Sequence, residues 1–93
     1  MTKTMLQECI DIVKDIAHHE YLYFDAAVEV KATPHSVPFS AWGVCVSPSN
    51  DLYVMDAGEQ WHKVELGDAN ATLVIGSLYQ RIRLMRINYA KAS

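Results

Sequence analysis

The sequence predicts an α+β fold: an N-terminal helix, a four-stranded antiparallel β-meander and a C-terminal helix, arranged in two layers. Three observations carry this. Apolar residues recur at helical spacing near both ends, they alternate with polar residues from about position 20, and turn-forming clusters divide the middle into short segments. A chain of 93 residues has room for one core, so a single domain spanning 1–93 is expected. Chains of this size bury only about 60–65% of their unfolded surface, which leaves them marginal alone and able to gain from a partner or a second copy.

The first helix is expected over about 4–19. Thr4-Met5-Leu6-Gln7 has the capping-box form, in which the threonine hydroxyl and the glutamine side chain satisfy N–H groups that a helix start leaves unpaired. At 100° per residue, Met5, Leu6, Cys9, Ile10, Ile12, Val13, Ile16 and Ala17 fall on one face, and Gln7, Glu8, Asp11, Lys14, Asp15 and His18 fall opposite. The period then changes to two. Leu22, Phe24, Ala26, Val28, Val30 and Ala32 form the inward set of a strand over about 21–32, alternating with Tyr21, Tyr23, Asp25, Ala27, Glu29 and Lys31.

Pro34 and Pro38 interrupt pairing, because proline has no N–H for a ladder. A second strand is expected over about 39–47, with Trp42, Val44 and Val46 on one face. The turn formers Pro48-Ser49-Asn50-Asp51 fold it back onto a strand over 51–56, and Asp56-Ala57-Gly58-Glu59, with Gly58 available for positive φ, leads to a strand over 60–66. Short connections favour antiparallel neighbours. The last helix is expected over about 69–90, capped by Asp68 or Asn70. Its main stripe is Ala71, Val74, Ile75, Leu78, Ile82, Met85 and Tyr89, with Tyr79 at the margin.

Charge is divided along the chain. The net charge is −3, but all eleven carboxylates precede Ala69, and after it only Arg81, Arg83, Arg86 and Lys91 are charged. The last helix is a basic element on an acidic body. Without a long apolar run, no membrane span or secretory segment is expected, and the expected compartment is the cytoplasm. Two cysteines are too few for a disulfide framework, so Cys9 and Cys45 read as small buried thiols.

No chemistry-bearing motif emerges. His18-His19-Glu20 does not suit a metal, since adjacent helical side chains diverge by about 100° and zinc needs converging ligands. On a helix, Lys14 with His18 and Asp15 with His19 are ordinary i, i+4 neighbours. A catalytic constellation could only be assembled in space from Cys45, His35, His62, Asp25 or Asp56, and nothing local activates any of them. The four glycines form no phosphate-cradling loop. The expectation is no catalytic, cofactor-binding or metal-binding residue and no cofactor.

Two surfaces remain as candidates. Leu73, Leu84 and Ile87 form a second apolar group on the far side of the last helix, flanked by Arg81 and Arg83. A helix resting on a sheet should be polar there. The other candidate is the aromatic set Tyr21, Tyr23, Trp42, Tyr53 and Trp61, with Tyr21 and Tyr23 displayed opposite Leu22 and Phe24, either as recognition anchors or as cross-strand pairs that brace the sheet. The leading expectation is a small non-enzymatic interaction module that binds another protein chain, a second copy giving a homodimer through the C-terminal helix. The alternatives are nucleic-acid binding by the arginines, disfavoured by the acidic body, and a small ligand-binding domain or enzyme without a visible motif.

Overall fold

The structure, a computed structural model, describes residues 5–18, 20–31, 37–65 and 71–92, and within the last helix the side chains of 77–87. The element order is α1 (Met5–Ala17), β1 (Leu22–Val30), β2 (Phe39–Val46), β3 (Leu52–Met55), β4 (Trp61–Lys63) and α2 (Ala71–Ala92). The strands form one open sheet in the order β1-β2-β3-β4 with every pairing antiparallel. The expected α-β-β-β-β-α architecture is the architecture found. Thr4, Asp68, Asn70, His19 and His35 lie outside the described residues, as do the side chains of Leu73, Ala71, Val74, Ile75 and Tyr89.

Both helices lie on one face of the sheet. α2 packs over β1, α1 packs over β2 and β3, and the helices pack against each other. The buried side chains form one cluster: Cys9, Ile10, Ile12 and Val13 from α1, Leu78 and Ile82 from α2, and the inward residues of the strands from Leu22 to Val64. Alternation in the strands and helical spacing in α1 produce this face directly. No helix among the described residues is long and apolar enough to cross a membrane.

The alternation fails at one place. Leu22 pairs with Val44 and Tyr23 with Gly43, but the next pair is Val28 with Ala41, so β1 advances five residues while β2 advances two. This bulge leaves Ala26 exposed, although simple alternation puts it inward. It also turns Trp42 outward, 39% exposed, and gives its expected place in the core to Ala41.

Local contacts correct two further expectations. α1 ends at Ala17, and His18 takes the left-handed conformation (φ 58°), its N–H donating to Lys14 O at 2.8 Å. His18 is thus a helix terminator rather than a helical neighbour of Lys14, whose ammonium donates instead to Asn50 Oδ1 at 2.8 Å. In the β3–β4 turn the positive φ belongs to Glu59 (63°), not to Gly58. The reason is Asp56, whose Oδ1 accepts the N–H groups of Gly58 and Gln60 at 2.8 and 2.9 Å and sets the turn one residue later. In the β2–β3 turn Asn50 holds the left-handed position (φ 66°), a conformation asparagine tolerates well.

Candidate interaction surfaces

The outer side of α2 is not covered by α1. Leu84 is 52% and Ile87 50% exposed, although Leu78 and Ile82 on the same helix are fully buried. Open grooves run on both sides of this crest. One, of about 440 Å³, lies between α2 and β1 and is lined by Tyr23, Phe24, Asp25, Ala26, Arg81, Leu84 and Met85. The other, of about 360 Å³, lies between the helices and is lined by Glu8, Asp11, Ile12, Arg83, Arg86 and Ile87.

The arginines point in different directions, as their spacing on a helix requires. Arg81 reaches toward β1, where its Nη1 donates to Ala26 O at 2.8 Å and its guanidinium lies 5.8 Å from the Phe24 ring. Arg83 faces the other way, 5.5 Å from the Tyr79 ring. The Tyr79 hydroxyl donates to Glu8 Oε2 and ties α2 to α1. That bond, together with partial burial and the nearby carboxylate charge, holds the phenol above its ordinary pKa, because deprotonation would destroy the donor. Two of the three arginines are therefore engaged within the fold.

The second candidate surface is the face of the sheet that carries no helix. Its outward residues follow from the register: Tyr23, Gly43, Met55 and Trp61 form one row across the four strands, and Cys45, Tyr53 and Lys63 form the next. Tyr21 is 56% and Tyr23 60% exposed. Tyr21 meets Tyr23 edge-on at 6.4 Å and meets Trp61 at 4.9 Å with the rings tilted by 38°. Tyr21 adjoins one edge strand and Trp61 lies on the other, so this ring pair spans the sheet. Sequence reasoning placed Trp61 in the same aromatic set as Tyr21 and Tyr23 but could not bring it onto Tyr21, because no local pattern signals a contact between opposite sheet edges.

Of the dispersed candidates for catalysis that lie among the described residues, only Asp56 and His62 meet. His62 Nε2–H donates to Asp56 Oδ2 at 2.7 Å, and the imidazole lies 4.8 Å from the Phe39 ring. The Asp56 carboxylate, which also accepts from Gln60 and Gly58, is held below the usual carboxylate range, the His62 hydrogen bond being the largest cause. The pair clasps the β3–β4 turn. His62 pairs with inward-facing Val54, whereas Cys45 lies on the outer face, so the sheet separates thiol from imidazole. Burial pushes the Cys9 thiol up to about 12, with the Glu8 charge adding to it. Cys45 is half-buried rather than buried, and its thiol is also raised by desolvation. Among the described residues no group of three or more His, Cys, Asp or Glu side chains is placed to hold a metal ion. No protein-family model, curated protein or solved structure matches the chain.

Proposed function

We propose that this protein is a small interaction module that self-associates through the outer side of α2. The observation that carries the reading is the half-exposure of Leu84 and Ile87 on a helix whose Leu78 and Ile82 are fully buried in the core. A symmetric dimer needs a surface that complements itself, with projection and recess, and positive and negative charge, present on one face. The α2 surface has these parts. Leu84 stands beside the groove lined by Tyr23, Phe24 and Met85, so the leucine of each copy has a recess to enter in the other. Arg83 and Arg86 border the same surface as Glu8 and Asp11, with Asp25 on the other side of the crest.

Nucleic-acid binding has weaker support. Arg81 and Arg83 make contacts within the fold and diverge around α2, which leaves no continuous basic stripe to follow a phosphate backbone. A small-molecule site has weaker support still, since the grooves beside α2 are open and do not converge on a set of buried polar groups. Size-exclusion chromatography with light scattering tests the proposal. Wild type is expected at twice the chain mass and Leu84→Glu at the chain mass with an unchanged circular dichroism spectrum. A folded monomer in both samples refutes self-association through α2.

A further inference from the structure

The sheet face opposite the helices carries a second opportunity, independent of α2. In antiparallel sheets with one solvated face, the outward positions are normally polar. Here they include, beside Gly43 and Lys63, Tyr21, Tyr23, Cys45, Tyr53, Met55 and Trp61, and Trp42 beside the bulge is also exposed. A depression of about 310 Å³ lies among Tyr21, Tyr53, Trp61, Cys45 and Pro48.

Acidic groups border these rings beside Tyr21 and beside Lys63, the register partner of Tyr53. Glu20 adjoins Tyr21 and is exposed. Asp51 and Glu65 both approach Lys63, with carboxylate oxygens 3.9 and 3.7 Å from its ammonium, so this cation beside Tyr53 is offset by two anions. The remaining lysine near this end of the sheet, Lys14, comes from the helix side and is held by Asn50. Aromatic faces with more carboxylates than cations beside them favour a cation, and arginine is the side chain best suited to stack on such rings while pairing with carboxylates. The same charge disfavours a phosphate backbone, and it disfavours a second copy presenting this face.

We propose that the outer face of the sheet binds an arginine-bearing segment of a partner protein. A guanidinium lies against the rings of Trp61 and Tyr53, and Glu20, Asp51 and Glu65 supply the opposing charge. The Tyr21–Trp61 pair braces the site before the ligand arrives, which lowers the ordering needed on binding.

The test is fluorescence anisotropy with a dye-labelled, capped peptide of repeating Arg-Gly-Gly and the full chain at low salt. Saturable binding is expected, weakened about 10-fold by Trp61→Leu, which keeps apolar bulk in place, and several-fold by Asp51→Asn with Glu65→Gln, which leaves the rings untouched. Leu84→Glu should bind as wild type, which separates this site from the α2 surface. A second measurement uses Cys45, the accessible thiol of the described pair, since Cys9 is fully buried. Saturating peptide should slow its alkylation. The proposal is overturned if the peptide shows no saturable binding, if a Lys-Gly-Gly or Glu-Gly-Gly peptide binds as tightly, if folded Trp61→Leu retains full affinity, or if Cys45 alkylates at the same rate with peptide present.

Discussion

The two faces of the sheet are built from different side chains, and the difference separates what holds the molecule together from what it presents. The inner face is mostly aliphatic: Val44, Val46, Leu52 and Val54 are nearly inaccessible, lie under α1 and share one core with Leu78 and Ile82 of α2. The outer face is aromatic and half-open, with rings that touch one another across the strands rather than a second layer. Aliphatic residues fill a closed interior at high density, whereas Tyr and Trp combine large apolar area with a polar tip and tolerate contact with water.

Substitutions on the two faces sharpen this contrast. The largest expected effect is on the inner face, where Leu52→Ala should lower unfolding free energy by about 2–5 kcal/mol through lost burial and a residual cavity. Tyr23→Ala on the outer face should change it by less than about 1 kcal/mol, since the ring is mostly exposed and has one edge contact. Equal losses in urea denaturation would break the comparison. Next is Gly43→Ala, placed where the outer face leaves no room. An added Cβ would stand 3.1 Å from the Leu22 carbonyl oxygen and 3.3 Å from Tyr23 Cδ1. The backbone oxygen cannot move aside cheaply, so a loss of about 1–3 kcal/mol is expected, with a displaced Tyr23 ring visible by NMR.

The smallest effect is local and depends on pH. The Asp56 carboxylate is held below its ordinary range in the fold, so its contribution is fully present above the unfolded value of about 3.9 and is lost as the pH falls through the lower folded value. The amides of Gly58 and Gln60, which donate to Asp56, should lose hydrogen-exchange protection on acidification below about pH 4, while Val54 keeps its own. Asp56→Asn should remove that pH dependence. An unchanged pH profile in the variant would show that the clasp does not hold the turn.

Most of the architecture was legible because it rests on periodicity. The helical spacing from Met5 to Ala17 and the alternation at Leu22–Phe24 and Val28–Val30 each select one face without tertiary information. The errors arise where geometry departs from the ideal period. A pattern of twos cannot anticipate the bulge that turns Trp42 outward and leaves Ala26 exposed, nor the aspartate clasp that moves positive φ from Gly58 to Glu59. At the surfaces, helical geometry anticipated the exposure of Leu84 and Ile87 and the divergence of the arginines. The meeting of Tyr21 with Trp61 required the sheet order, and no short-range signal encodes it.

The bulge in β1 has a bearing on solubility. A nine-residue edge strand beside an exposed aromatic face is the arrangement on which foreign strands add and fibrils begin. Here the irregularity divides that edge into Leu22–Tyr23 and Val28–Val30, and the Arg81 guanidinium occupies the Ala26 carbonyl between them. Neither remaining stretch offers a long uninterrupted template. The irregularity that costs the strand its regular pairing thus shortens the template, and exposed rings can face water without a long unbroken edge beside them.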